Sequence, residues 1–303
     1  MDSSAWPRAV TGVTALVLAA GFALSVIALD RCPPFSVDEP FFNAPAARAV
    51  AGRDGFVYSV HTQAPGDGRV WAYQAPLFVR MQVGTFRLFG IRHFACRIPG
   101  VVGAYLAVLV LALFLARKGS HWAGLALAVL WCGDRGSQEL LLGRPEGVSL
   151  LFLVLGFVGL ANLFRTRRRT WAGVVGFALG MAAGFSPGAA VFGVASVLLL
   201  LFSFTLRTAV GLVVAVAAGA VVPALLVLVC WMPDVGLALR QFAWHVAYVT
   251  ELRERSRGDL VAYLWFVLQW SRWWCLALLA WMAVASPRML ARVLNPLPQR
   301  AAG

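Results

Sequence analysis

The chain is 303 residues long, 60% hydrophobic and only 13% charged. A soluble domain of this length does not need so much apolar sequence, so the composition excludes an ordinary soluble enzyme and describes a polytopic membrane protein. Lys and Arg number 26 against 13 Asp and Glu, a net charge of +13; no nucleic-acid-binding pattern is present, so positive-inside topology and anionic lipid head groups account for the excess, and no nucleic-acid partner is expected.

Only Arg8 precedes the first apolar run, residues 9–29, which is long for a signal-peptide core and lacks a small-residue cleavage site; it reads as a retained first helix. A span needs roughly 20 apolar residues, and further runs lie at 99–116, 121–142, 147–164, 171–185, 188–206, 208–232 and 260–284. The expected fold is therefore all-α, with about eight transmembrane helices in a single integral membrane domain, 1–303. The fifth and sixth runs are short and meet at Phe185-Ser186-Pro187-Gly188, a tight break. Eight spans put both termini on one side, with Arg117-Lys118, Arg165 to Arg169 and Arg207. These connectors are short, basic and nearly free of acids, so this side is expected to be cytoplasmic. The opposite side carries 30–98, 132–146 and 233–259, which hold nearly every carboxylate.

The first outer loop, 30–98, opens with Phe35-Ser36-Val37-Asp38-Glu39-Pro40. Glu39 precedes a proline and is biased to extended backbone, and Pro40 suits the first turn of a helix. Either Asp38 or Glu39 caps that helix, or the pair does chemistry. Pro40 to Ala51 and Pro76 to Phe89 read as amphipathic helices lying in the membrane interface, the second with Arg80 and Arg87 at helical spacing. The five cysteines, Cys32, Cys96, Cys132, Cys230 and Cys275, form no CxxC pair and have no His at ligand spacing, so no metal site is expected from them.

Taken in order, Asp38-Glu39, Gln74-Ala75-Pro76-Leu77, Leu88-Phe89-Gly90, Cys96-Arg97-Ile98-Pro99-Gly100 and Arg144-Pro145-Glu146 resemble the GT-C membrane glycosyltransferases. The resemblance covers about residues 9–200 and is strongest to the bacterial branch similar to protein mannosyltransferases and the lipid A aminoarabinose transferase. It implies transfer of a sugar from a polyprenyl-phosphate donor to an acceptor on the extracytoplasmic face, in the bacterial plasma membrane. It makes Asp38 the catalytic carboxylate, Glu39 its orienting partner and Glu146 a second acid or a metal ligand. Arg97 and Arg144 become the first candidates for the donor phosphate, with Arg87, Arg92 and His93 as further cations, because a planar guanidinium grips phosphate bidentately. The pattern departs from the family where Ala75-Pro76 replaces a double proline and Glu146 replaces the commoner Asp. Family members are also longer, which raises the alternative of a truncated or non-catalytic scaffold.

The last outer loop contains His245 and Tyr248 beside Trp244. It reads either as an aromatic belt with a solvated charged segment or as a flap over the substrate. A transporter or flippase of lipid-linked sugar is the remaining alternative; the near absence of ionisable residues inside the spans speaks against it. Neither the sugar nor the acceptor is legible. No cofactor is identified, although two or three outer carboxylates could gather around a divalent cation.

Overall fold

The computed structural model describes residues 5–30, 39–52, 75–133, 143–231, 235–241, 243, 244 and 247. The regular secondary structure of the described residues is all helix, with no strand among them. The helices are α1 (Ala5–Ala28), α2 (Glu39–Val50), α3 (Pro76–Phe89), α4 (His93–Arg117), α5 (His121–Gly133), α6 (Glu146–Thr166), α7 (Arg169–Phe185), α8 (Ala190–Ser203) and α9 (Leu206–Trp231). Long runs of Leu, Val and Ala leave no side chain to satisfy the backbone, so in lipid each segment must close its own hydrogen bonds as a helix. Among the described residues, four helices are long and apolar enough to cross a membrane: Trp6–Ala28, His93–Arg117, Glu146–Thr166 and Leu206–Cys230. The expected break between the fifth and sixth runs is a 3-10 turn, Pro187–Ala189, between α7 and α8, whose 17 and 14 residues make them short. The expected eighth span, 260–284, lies outside the described residues.

The helices pack as a chain of neighbours. α5 lies against α1 and α4, α4 against α6, α6 against α7, and α7 against α9, with α8 beside α7 and α9. Small residues set the closest crossings. A Cβ on Gly147 would fall on the Gly100 carbonyl, and one on Gly103 would lie 2.6 Å from the Val148 Cα, so α4 and α6 touch backbone to backbone. Without a hydrophobic drive between helices in lipid, this close approach is the source of attraction.

Each long helix runs from one end of the bundle to the other. At one end Thr11 meets His121 (3.0 Å) and Phe164 stacks on Phe204. Here stand Arg117, Lys118, Arg165, Arg167, Arg168, Arg169 and Arg207, and no described carboxylate. At the other end lie the C-terminus of α1, the N-termini of α4 and α6, and both short helices α2 and α3. All three described carboxylates, Asp30, Glu39 and Glu146, belong to this acidic end.

α2 and α3 are held there by a shared apolar cluster. Phe42 and Ala46 of α2 and Phe78, Val79, Val83 and Phe86 of α3 pack with Cys96 of α4, Val148 of α6 and Phe185 of α7. The buried residues of α3 recur at helical spacing, while Arg80 and Arg87 face outward, as the sequence pattern requires. α3 is also bonded to α4, because the Thr85 hydroxyl donates to the Ala95 carbonyl at 2.6 Å. Ala75, just before Pro76, stands at φ 47°, the left-handed region, at a cost of about 1 kcal/mol for a residue with a Cβ.

Candidate functional site

The acidic end is built around Glu39, the first residue of α2. Its carboxylate is fully buried. It accepts Arg97 Nε at 2.8 Å and Arg97 Nη2 at 3.0 Å, a bidentate pair, and the Gly143 amide at 2.7 Å. Arg97 is 2% exposed, and its Nη1 donates to the Leu29 carbonyl at 2.9 Å. One ion pair therefore ties together the end of α1, the start of α2, the first turns of α4 and the segment entering α6. A guanidinium one turn into an apolar helix cannot be left alone in a low dielectric, and a carboxylate with three donors is the arrangement that satisfies it.

Gly143 fits this place because it has no side chain. A Cβ there would lie 3.0 Å from Cys96 Sγ and 3.2 Å from Glu39 Oε1. Arg144 follows immediately. Its Nη2 lies 3.0 Å from Glu146 Oε1, with the two side chains 28% and 37% exposed. Glu146 opens α6, where a carboxylate complements the helix dipole; its second oxygen is buried and accepts no hydrogen bond. Pro145 occupies the position before α6, so Arg144 is held away from helical backbone.

Gln82 of α3 completes the cluster. It is fully buried, and its Nε2 points at three oxygens: Asn43 Oδ1 (2.8 Å), the Cys96 carbonyl (3.1 Å) and the Gly143 carbonyl (3.4 Å). The start of α4 is anchored separately by Asp30, which accepts the Phe94 amide at 2.8 Å.

The structure thus brings Glu39, Arg97, Arg144 and Glu146 to one end of the bundle. Arg97, expected to meet the donor phosphate, is occupied by Glu39 and the Leu29 carbonyl. Arg87, Arg92 and His93 are exposed at the same end, the Arg92 guanidinium 5.2 Å from the centre of the Phe94 ring. Asp38, His245 and Tyr248 lie outside the described residues. Among the described residues no three of His, Cys, Asp and Glu gather closely enough to hold a metal ion. Cys96, Cys132 and Cys230 are unpaired thiols. Gln82 and Gly143 were not singled out in the sequence. Gln82 does carry a signal: it falls on the buried stripe of α3, between Phe78, Val79, Val83 and Phe86, where an apolar residue is the default.

This is the architecture of a polytopic, all-α integral membrane protein, with a buried ionic cluster at one end of its bundle. The sequence matches no protein-family model, and no curated protein matches it. Its fold is similar to that of ArnT from Cupriavidus metallidurans, in a crystal structure with undecaprenyl phosphate bound. The TM-score is 0.54 and the identity 16%, over 74% of this chain and 42% of ArnT. The chain therefore spans less than half the length of that protein. At this identity the likeness establishes the fold alone.

Proposed function

We propose that this protein is a membrane glycosyltransferase that takes a sugar from a polyprenyl-phosphate donor at the acidic end of its bundle. The observation that carries the reading is the fixed geometry around Glu39. Its ion pair with Arg97 and its bond to Gly143 set the two segments that flank the site, with Asp38 one residue before it and Arg144 one residue after Gly143. Two features support it: the GT-C-like fold, and the presence of undecaprenyl phosphate in the ArnT structure that shares it.

In this reading the acceptor hydroxyl attacks the anomeric carbon of the sugar. The new carbon–oxygen bond forms as the bond to phosphate breaks, and the electron pair leaves on the polyprenyl phosphate. Asp38 takes the hydroxyl proton as general base. Arg144, with Glu146 fixing its direction, meets the charge that develops on the leaving phosphate. Arg87, Arg92 and His93 supply further positive charge at the membrane surface, and His245 and Tyr248 contribute to a flap. Glu39 and Arg97 hold the frame. The acidic end faces out of the cytoplasm and the basic end faces in, by the positive-inside rule, which places both termini in the cytoplasm if 260–284 makes an eighth span. α2 and α3 lie in the membrane interface, and residues 1–303 form one integral membrane domain.

The test is sugar transfer in membranes from a panel of polyprenyl-phosphate sugars, wild type beside Asp38→Asn at equal expression. Transfer by the wild type and loss in the variant is the expected result. Equal transfer by both would remove Asp38 from the chemistry. No transfer by wild type from any donor would favour the scaffold or transporter readings.

A further inference from the structure

Gln82 is an expensive residue for its position. Phe78, Val79, Val83 and Phe86 already seat α3 on the bundle, and Leu or Met at position 82 would extend that apolar face at no polar cost. Instead the side-chain amide is fully buried, and its Oε1 has no hydrogen-bond partner. The amide cannot turn over to relieve this, because three acceptors surround the nitrogen and would then face an oxygen. A buried acceptor left unsatisfied is destabilising, so packing alone does not account for this side chain.

The three acceptors do account for it. Asn43 belongs to α2, Cys96 to α4, and Gly143 to the segment that carries Arg144 into α6. Gly143 is consequently held at both of its backbone polar groups, its N–H by Glu39 and its carbonyl, which belongs to the Gly143–Arg144 peptide, by Gln82. Glu39, itself held by Arg97, fixes the N–H from within the bundle. Gln82 fixes the carbonyl from α3, the helix whose outward face carries Arg80 and Arg87.

We propose that Gln82 is a positioning residue for the transfer reaction, coupling the seating of α3 to the placement of Arg144. The proposal rests on the glycosyltransferase reading above. Gln82 touches neither donor nor acceptor; it acts through the Gly143–Arg144 peptide. When α3 is seated, Arg144 is held where the leaving phosphate needs it. When the Gln82 bonds are lost, that peptide gains freedom while the Glu39–Arg97 pair keeps the bundle assembled.

The experiment uses the full chain in detergent and in membranes, with Gln82→Met as the perturbation, Arg144→Lys as the partner change and Leu200→Ala as a control that weakens packing in a separate cluster without touching α3. Hydrogen exchange is read first. Gln82→Met should speed exchange in the peptide containing Gly143 and leave the interiors of α4 and α6 unchanged. Transfer per folded molecule should fall roughly 10- to 100-fold, the scale of a misplacement of about 1 Å. In the double variant with Arg144→Lys the losses should be markedly less than multiplicative, because both act through one residue. Leu200→Ala combined with Arg144→Lys should multiply, because Leu200 packs in a cluster that contains no residue of α3. Unchanged exchange at Gly143, or fully multiplicative losses for Gln82→Met with Arg144→Lys, would overturn the proposal. If the wild type transfers no sugar, the glycosyltransferase reading fails, and the exchange measurement alone decides whether Gln82 holds the Gly143 peptide.

Discussion

Replacing Arg97 by Met tests whether the Glu39–Arg97 pair is the frame of the acidic end. Methionine fills much of the arginine stem and removes the charge. Glu39 then loses donors at 2.8 and 3.0 Å and keeps the Gly143 amide, while the Leu29 carbonyl loses its donor at 2.9 Å. Breaking a buried pair by removing one partner costs about 3–5 kcal/mol, because an uncompensated charge is left behind. At ~1.4 kcal/mol per tenfold, that is about two to three and a half orders of magnitude in the folding equilibrium. Removing both charges, as Glu39→Leu with Arg97→Met, should recover part of the loss, since no lone charge remains, although the Gly143 amide and Leu29 carbonyl stay unpaired. The assay is unfolding of the purified protein titrated with SDS, followed by the fraction retaining helical structure. An Arg97→Met protein as stable as wild type, or a double variant worse than the sum of the single ones, would refute the argument that this pair clamps the bundle.

Three further outcomes follow from the same geometry. Gly143→Ala forces a Cβ to within 3.0 Å of Cys96 Sγ and 3.2 Å of Glu39 Oε1, so it should destabilise the fold and lower transfer together, measured by the same SDS titration and by the donor panel. Gly147→Val places side-chain carbons where α4 and α6 touch; it should prevent accumulation of folded protein, read as loss of the monodisperse peak in size-exclusion chromatography. Arg144→Ala removes a partly exposed side chain paired to Glu146 over 3.0 Å, so its stability should change by less than about 1 kcal/mol while transfer falls at least tenfold; normal transfer by this variant would exclude Arg144 from the phosphate site.

The helices were largely legible because apolar runs in a membrane protein carry their own address. Pro76 to Phe89 emerges as one helix with the expected outward arginines, and the break at Ser186-Pro187 emerges as a 3-10 turn. The partners at the acidic end were only half legible. Asp38, Glu39, Arg97, Arg144 and Glu146 announce themselves as ionisable residues beside apolar sequence, but their pairing is a matter of which helix ends meet. Residues 39 and 97 are joined across 58 positions, and Gly143 reaches Glu39 across 104. No local pattern encodes such closures; they depend on how α4 and α6 cross at Gly100, Gly103 and Gly147. Arg97 looked like a phosphate ligand because Arg beside a membrane commonly is one. Its depth in α4 is the feature that argues for an internal partner, since a cation one turn inside an apolar helix is costly without one.

That pairing bears on which acid does the chemistry. Glu39 is fully buried and already accepts three donors, two of them from a guanidinium, so an acceptor hydroxyl could reach it only by breaking that clamp. Glu39 is therefore poorly suited to remove a proton, whatever the acceptor. Glu146 is tied to Arg144 at the start of α6. Asp38, one residue before the clamp, is the acid proposed above as the base. The separation of functions is then measurable in two variants of one dipeptide. Glu39→Gln should lose stability first and transfer as a consequence, because its amide nitrogen, a donor, must replace an oxygen that faces Arg97 or the Gly143 N–H. Asp38→Asn should lose transfer with the SDS midpoint unmoved. The reverse pattern, an unstable Asp38→Asn and a stable, inactive Glu39→Gln, would exchange the two roles and place the base on the residue that Arg97 grips.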